Sequence, residues 1–279
     1  MARSAASVGK ETIKRGLRRL GLKKGDFVGV HGSLSSFGYV AGGAKTVIKA
    51  LMETVGPEGA IVMPTYSNNR RIVKSTPDEV RRGVTWKYRI FRYYPRRNGC
   101  WTGKIPDTFW RMDGVMRGPN PTHSLAAWGK NADLLCQGWD HLLEAGGFIL
   151  LLGVTTACCS SLHLAEKKVR LPERIRRRNR LPDDLREKYF APAAVWPAHI
   201  TCCGRPARRP AKPPQPKWDI GFGPYPSFKL VQGFAEKRGL VRTVTIGKAK
   251  VHCFRLAPVI DLYAGLLKKD PDVFYKKGG

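Results

Sequence analysis

The sequence contains no long hydrophobic run, and its longest apolar stretch, near residues 148–154, is only as long as a strand. A membrane-spanning helix needs about 20 consecutive apolar residues, so none is predicted. The N-terminus also lacks the apolar stretch of a secretory signal. We therefore expect a cytoplasmic protein without membrane contact.

Cysteine is neither frequent nor regularly spaced, because the 279 residues include only 7 cysteines, in two adjacent pairs and three single positions. The absence of any C-x2-C pair excludes the usual zinc motifs, and an odd count without a secretory signal argues against a disulfide framework. We expect reduced thiols that serve mostly as small buried hydrophobic residues.

Acidic residues are scarce, since 21 Asp and Glu oppose 50 Lys and Arg and leave a net charge of +29. Hydrophobic residues make up 42% of the chain, which is typical of a globular protein and unlike a disordered one. The basic excess is concentrated: residues 70–111 hold 12 basic and 3 acidic residues, and residues 167–217 hold 15 and 4. Clustered charge of one sign can focus a field on an anionic partner.

Hydrophobic spacing and turn signals predict a βαβ unit early in the chain. Apolar residues at helical spacing predict a helix over 8–21, and a buried strand follows from Phe27 to Val30. A Gly/Ser-rich loop precedes a second helix over 44–55, and a Gly-Pro turn separates that helix from a strand over 60–63. This order predicts an α/β fold with a central, mostly parallel sheet flanked by helices.

We expect one domain over residues 1–279 that includes two long basic excursions. Residues 68–101 show no sustained period and predict an irregular basic and aromatic excursion. Residues 167–217 are basic and Pro-rich, and residues 205–218 predict extended, polyproline-like chain. Between the two, a helical stretch is predicted near 131–144.

The loop after the first strand is the first candidate site. It combines a histidine, hydroxyls, a leucine and glycines ahead of a helix, at His31, Ser33, Leu34, Ser35, Gly42 and Gly43. Small residues and free backbone N–H groups at a helix start suit a phosphate, although a tight strand-to-helix turn explains them equally well. Ligands of parallel sheets sit at the carboxyl ends of strands, so the loop with Thr65 and Ser67 should face the same crevice.

The segment from Ser160 to Glu166, directly after a buried strand, is the second candidate. If a helix begins here, Ser160 is a suitable N-cap and His163 lies one turn from Glu166. A carboxylate beside a histidine fixes its tautomer and supports its imidazolium, as a general base requires. The alternative is an ordinary helix start with an incidental histidine.

The third candidate is the loop over residues 117–124, which two prolines rigidify and which presents Asn120 and His123. Taken alone, this loop favours a purely structural role. Its side chains suggest a binding or catalytic role only when this loop is considered together with the other two candidates.

Five motifs follow one another along the chain: H-x-S-L-S-x-x-G-x-x-x-G-G, P-T-x-S, G-x-I-P-[DE]-x-F-x-R, R-x-x-x-P-T-H-S-x-A-A-x-G, and L-L-L-G-V with S-L-H-L-A-E. Together they resemble the aminoglycoside 3-N-acetyltransferases, which share the antibiotic N-acetyltransferase fold. The similarity extends from about Val8 to Glu166 and resumes from Gly233 to Leu266.

The resemblance implies a metal-free, acetyl-CoA-dependent transfer of an acetyl group to an amine of an aminoglycoside. It implies that His163 is the general base, that Glu166 orients it or contacts the substrate, and that Ser160 contacts the base or the thioester oxygen. The coenzyme A channel would be lined by His31, Ser33, Leu34, Ser35, Gly42, Gly43, Thr65 and Ser67. The amine substrate would contact Asp107, Asn120 and His123.

Three features depart from the family pattern. Asn120 replaces a histidine, the chain is shorter between Leu135 and Trp139, and the net charge is strongly basic although polycationic antibiotics need acidic pockets. Two alternatives therefore stay open: the same chemistry on an anionic or nucleotide-linked amine, or a nucleic-acid-binding or modifying protein that has kept the fold.

Aromatic residues alternate with arginines in the first excursion, at Tyr88, Phe91, Tyr93, Tyr94 and Trp101. Such a composition suits a surface that contacts phosphates and stacks on bases. We expect instead that these rings pin the excursion to the core.

Overall fold

The structure, a computed structural model, describes residues 7–173, 175, 182–190, 218–222 and 226–275. Most of the predicted second excursion, including nearly all of the polyproline-like stretch at 205–218, lies outside the described residues. No helix among the described residues is long and apolar enough to cross a membrane.

The described elements alternate between helices and strands. The helices are α1 (Lys10–Arg19), α2 (Gly43–Val55), α3 (Pro77–Arg81), α4 (Lys104–Phe109), α5 (Ala132–Leu135), α6 (Trp139–Glu144), α7 (Asp183–Phe190), α8 (Lys229–Lys237) and α9 (Leu256–Lys269). The strands are β1 (Phe27–Gly32), β2 (Ala60–Pro64), β3 (Arg70–Ile72), β4 (Val84–Ile90), β5 (Met116–Arg117), β6 (Leu125–Gly129), β7 (Phe148–Leu152), β8 (Trp218–Phe222), β9 (Arg242–Ile246) and β10 (Ala249–Arg255). Short 3₁₀ helices cover Ser35–Phe37, Thr156–Cys158, Ser160–Lys168 and Pro271–Val273.

The main sheet has seven strands in the order β5-β6-β2-β1-β7-β10-β9. Its centre is parallel, since β1 pairs in parallel with both β2 and β7. Strands β6 and β10 pair antiparallel with their neighbours, so five of the seven strands run in one direction. The predicted α/β class with a mostly parallel sheet and the predicted βαβ unit β1-α2-β2 are confirmed.

Two hydrophobic cores cover the two faces of this sheet. In β7, Ile149 and Leu151 enter the core that contains α6, α8 and α9, whereas Leu150 and Leu152 enter the core formed with α1, α2 and α4. Alternating residues of a strand point to opposite faces, so a strand covered on both sides must be apolar throughout. This explains why the apolar run that begins at Phe148 forms a strand.

The predicted helical stretch at 131–144 is two short helices, α5 and α6, joined at residues 136–138. The break places Trp139 at the start of α6, where its side chain is fully buried against the sheet. The shortened segment between Leu135 and Trp139, which departs from the family pattern, therefore ends in a tryptophan that lies in the core.

The prediction of an irregular excursion over 68–101 is wrong, because part of it folds into a second, three-stranded sheet in the order β3-β4-β8. Both pairings are antiparallel, and β8 comes from far along the chain. Strand β4 mixes charged and aromatic residues, so its alternation does not separate apolar from polar positions. Lys87 in this strand is buried, which hydrophobic patterning alone cannot anticipate.

A buried ion pair holds this second sheet to α3. Lys87 Nζ lies 2.6 Å from Glu79 Oε2, and the two side chains are 6% and 2% exposed. Tyr189 donates to the other carboxylate oxygen, and Thr76 caps α3 through a reciprocal capping box with Glu79. Burial of a charge is costly unless hydrogen bonds satisfy it, and here every partner is supplied by neighbouring elements.

We predict that Glu79 makes the stability of the second sheet pH-dependent. Although burial alone raises the pKa of Glu79, its hydrogen bonds with Lys87, Tyr189 and the backbone of Thr76 lower it to about 2. A carboxyl group whose pKa is lower in the folded state stabilises it above the ordinary value near 4.5 and loses this effect as the pH falls toward 2, by roughly 3 kcal/mol. Hydrogen exchange of β4 should therefore accelerate over this pH range, and Glu79→Gln should abolish the dependence.

The neighbouring Asp78 provides the matched control, since its side chain is 56% exposed in a surface pair with Arg81. Asp78→Asn should leave the pH profile of β4 exchange unchanged. An unaltered profile in Glu79→Gln would show that the buried carboxylate does not hold this sheet.

Candidate active site

A cavity of about 890 Å³ opens at the carboxyl ends of β1 and β2. Its walls come from the loop after β1, the end of β2, the segment before and at the start of α4, and the start of the Ser160–Lys168 helix. The lining includes Val30, His31, Gly32, Ser33, Leu34, Ser35, Gly38, Tyr39, Gly43, Pro64, Tyr66, Trp101, Thr102, Gly103, Lys104, Pro106, Cys158 and Ser160. The prediction that the loops after the first two strands share one crevice is confirmed.

The loop after β1 is both a tight turn and a cavity wall. The Ser33 backbone N–H donates to Leu152 at the end of β7 over 3.0 Å, which keeps the loop against the sheet. Gly42 and Gly43 have φ values of +76° and +60°, a left-handed conformation that side chains with a Cβ rarely adopt. Helix α2 begins at Gly43, which lines the cavity, so the N-terminus of this helix lies at the cavity wall.

The residues predicted for coenzyme A binding divide into two groups. His31, Ser33, Leu34, Ser35 and Gly43 line the cavity, and Gly42 lies next to them at the N-cap of α2.

Thr65 and Ser67 are fully buried and do not appear in the cavity lining, unlike Pro64 and Tyr66 beside them. Thr65 bonds the backbone of Ser124 and accepts from Arg117, whereas the Ser67 hydroxyl accepts from the backbone of Asn69. Side chains of successive strand-end residues alternate in direction, which turns these two hydroxyls away from the crevice. They support its wall.

His31 connects the loop to the second candidate segment. Its ring is 4% exposed and stacks on Trp139 with 5.5 Å between centroids. Burial lowers the pKa of His31 to about 4, so the ring is neutral at neutral pH. The indole N–H of Trp139 donates to Ser160 Oγ over 3.2 Å. Ser160 is the first residue of a 3₁₀ helix whose N-cap is Cys159, so its suggested capping role is wrong.

His163 and Glu166 form a hydrogen-bonded pair. The distance from His163 Nδ1 to Glu166 Oε1 is 2.9 Å. A 3₁₀ helix has three residues per turn, so side chains three positions apart lie directly above one another. Because the carboxylate accepts from Nδ1–H, Nε2 is left with a free lone pair. The ring edge packs on Phe228 with 4.7 Å between centroids, which restricts its orientation.

His123 lies beside this pair, in the third candidate loop. Burial, with smaller contributions from Arg70 and His163, lowers the pKa of His123 to about 4. Its Nδ1 is 2.8 Å from the Thr122 hydroxyl, and its ring packs edge-on against Tyr66. A neutral His123 can therefore offer a hydrogen bond but no charge.

The other two residues predicted for the amine substrate, Asn120 and Asp107, make hydrogen bonds to residues close to them in the chain. Asn120 Oδ1 accepts from the backbone N–H groups of Thr122 and His123, at 3.0 and 2.9 Å, and so closes a turn. Asp107 Oδ1 accepts from the backbone of Cys100 and from the side chains of Trp110 and Arg111. Neither residue is part of the cavity lining.

Several lining residues escaped the sequence analysis. Tyr66 and Trp101 pack together with 5.8 Å between ring centroids, and Lys104 supplies a formal positive charge at the cavity. Lys104 and Tyr66 stand at the unspecified x positions of G-x-I-P and P-T-x-S, so the motifs located these segments but did not single out the two side chains. Cys158 is exposed in the cavity, unlike the buried Cys136, Cys159 and Cys253.

The part of the chain that the structure describes shows no candidate metal site. No three His, Cys, Asp or Glu side chains in that part of the chain are grouped as a metal ion would require.

Comparison with known proteins identifies relatives by sequence. An SPbeta prophage-derived aminoglycoside N(3')-acetyltransferase-like protein of Bacillus subtilis is 35% identical over 185 residues, which are 57% of this chain and 65% of that protein. Aminoglycoside N(3)-acetyltransferase IX of Micromonospora chalcea is 32% identical over 182 residues, 58% of this chain and 63% of that one. The chain therefore spans slightly less than two thirds of these relatives.

Solved structures share the fold along most of the chain. The crystal structure of aminoglycoside acetyltransferase AAC(3)-Xa matches with a TM-score of 0.69 and 25% identity, over 96% of this chain and 95% of that one. The binary complex of AAC-IIIb with CoASH matches with a TM-score of 0.68 and 21% identity, over 98% and 100% of the two chains. The family model described as aminoglycoside 3-N-acetyltransferase matches residues 30–268, and the chain therefore belongs to this family.

Proposed function

We propose that this protein is an acetyl-CoA-dependent N-acetyltransferase that acts on an amine of an aminoglycoside, at the 3-N position by family resemblance. The observation that carries the proposal is the His163–Glu166 pair, bonded over 2.9 Å on the 3₁₀ helix whose first residue, Ser160, lines the cavity at the carboxyl edge of the sheet. Membership of the family and the activities for which the relatives are named support it.

The cavity fits coenzyme A in size and chemistry. About 890 Å³ lies within the range of small-molecule sites, and the loop from His31 to Ser35 with Gly43 offers hydroxyls and small residues along its length. Lys104 at the start of α4 would contact a phosphate. The CoASH complex of AAC-IIIb supports this use of the fold. Bound acetyl-CoA would supply the acetyl group as a thioester.

His163 would act as the general base. Its Nε2 lone pair takes the proton that the amine loses as its nitrogen bonds the acyl carbon and the thiolate leaves. Glu166 holds Nδ1–H and stabilises the imidazolium that this proton creates.

Ser160 would stabilise the oxyanion. A hydroxyl has one donor and two acceptor positions, and the indole N–H of Trp139 already occupies an acceptor position. The hydroxyl hydrogen of Ser160, which lines the cavity, is therefore available for the acyl oxygen.

We predict that His163→Ala lowers acetyl transfer by roughly 10²- to 10⁴-fold, because the amine loses its base. Coenzyme A affinity should stay within about twofold, since the ring is not part of the cavity lining. Thiol release and calorimetric titration measure the two quantities.

His141 is the matched control, because it also pairs with a carboxylate three residues on, Glu144 at 3.4 Å, yet lies in α6 and not on the 3₁₀ helix that begins at the cavity residue Ser160. His141→Ala should transfer acetyl groups like the unmodified protein. Full turnover in His163→Ala would refute the assignment of the base.

We predict that Lys104→Gln raises the dissociation constant of coenzyme A about fivefold and makes binding less salt-dependent, because an exposed lysine pairs weakly with a phosphate. The maximal rate of acetyl transfer should not change. Lys130→Gln, which breaks a surface pair with Glu58, serves as the control. Equal coenzyme A affinities in the unmodified protein and both variants would show that Lys104 does not contact coenzyme A.

A specific observation favours a second acceptor class. The cavity lining contains no carboxylate, and the segments outside the described residues contain no Asp or Glu in their sequence. A polycation would find few acidic partners beyond Glu166, so an anionic or nucleotide-linked amine is the alternative acceptor.

A thioester-cleavage screen separates the two acceptor classes. Thiol release with gentamicin- or kanamycin-like amines supports the aminoglycoside. Release only with amino-nucleotides or phosphonate amines supports the anionic acceptor. No release with any amine, while coenzyme A still binds, would contradict the proposed transfer.

A further inference from the structure

The second sheet places two arginines directly opposite each other. Arg71 of β3 pairs with Arg89 of β4 in the antiparallel register, and both side chains are exposed. Cross-strand partners point to the same face with Cβ atoms about 5 Å apart, so like charges at such a pair destabilise the sheet. The guanidinium of Arg89 also lies over the ring of Trp218, 5.0 Å from its centroid.

Three more exposed arginines follow β4 within a few residues, at Arg92, Arg96 and Arg97. We call these three, together with Arg71 and Arg89, the arginine surface. Arg92 and Arg97 both lie over the ring of Tyr94, 5.2 and 5.7 Å from its centroid. A guanidinium held over a ring is oriented while its N–H edge stays free for an anion.

None of the ion pairs between described side chains joins a carboxylate to an arginine of the arginine surface. The three acids of residues 70–111 bind elsewhere: Asp78 to Arg81 and Arg82, Glu79 to Lys87, and Asp107 to Arg111. The segments outside the described residues have no acidic residue to contribute. The N–H groups of these exposed arginines are therefore available to an anion from outside the chain.

Flat apolar rings accompany these cations. The expectation that the aromatic residues pin this region to the core holds for Tyr93, which is buried and donates to the carbonyl of Gly118. It is wrong for Phe91, Tyr94 and Trp101, which are 53%, 41% and 53% exposed, whereas Tyr93 between the first two is buried.

We propose that the arginine surface, with Phe91 and Tyr94, binds single-stranded nucleic acid. Five neighbouring cations exceed what one small anion can pair, whereas a polynucleotide offers a phosphate at every residue. Exposed rings beside the cations suit unpaired bases, which stack on aromatic side chains, while a duplex hides its base faces. This proposal does not depend on the acetyltransferase activity.

The experiment measures fluorescence anisotropy of labelled dT and U oligonucleotides of about 20 residues, against salt concentration, without acetyl-CoA. We expect the triple variant Arg71→Gln, Arg89→Gln, Arg92→Gln to bind at least roughly tenfold more weakly. Each phosphate contact to a single strand contributes about 0.7 to the slope of log K against log salt, so the slope should become shallower by about 2.

A matched variant separates a surface from net charge. Arg15→Gln, Arg18→Gln, Arg19→Gln removes the same charge from exposed arginines of α1. It should keep both affinity and slope close to those of the unmodified protein. Equal losses in the two triple variants would overturn the proposal, since binding would then follow overall charge.

A second pair of substitutions tests stacking. Phe91→Ala with Tyr94→Ala should weaken binding several-fold and leave the salt slope unchanged, because no charge is removed. Preference for a duplex of equal length, or no oligonucleotide binding alongside attachment to anionic lipid vesicles, would refute the proposal. If the triple variant fails to fold, Arg92→Gln with Arg97→Gln, outside the strands, tests the same surface.

Discussion

Burial of the central strands on both faces is the constraint on which the rest of this structure depends. Strands β2, β1 and β7 run in parallel between two cores and are apolar on both faces. Polar groups that bind a ligand therefore lie in the loops at the ends of these strands. The loop after β1 and the segment after β7 therefore meet at one edge. Trp139 joins them by packing on His31 and bonding Ser160.

The scarcity of carboxylates organises the charged groups. Glu79 of α3 neutralises Lys87 of the second sheet, and Glu166 is hydrogen-bonded to His163. Asp78 and Asp107 bind local arginines, and no described ion pair involves the arginine surface. The scarcity of acids thus affects both the stability of the second sheet and its exposed basic face.

The sequence predicts those features of the site that depend on residues close together in the chain, and misses those that depend on distant segments. The spacing of His163 and Glu166 was enough to predict their contact, because three residues make one turn of this helix. The burial of Thr65 and Ser67 was not predictable, since it follows from which side of the strand end faces the crevice. The second sheet was missed because β8 joins β4 from a distant part of the chain and a buried lysine interrupts the apolar pattern.

The sequence by itself determined the α/β class, the βαβ unit, the family resemblance and the order of the three candidate loops, because each depends on local spacing, turn residues or motifs. Only the tertiary structure decided which residues line the cavity, that Trp139 supports Ser160, and that Arg71 faces Arg89. These facts depend on the register and packing of segments far apart in the chain, which no local pattern encodes.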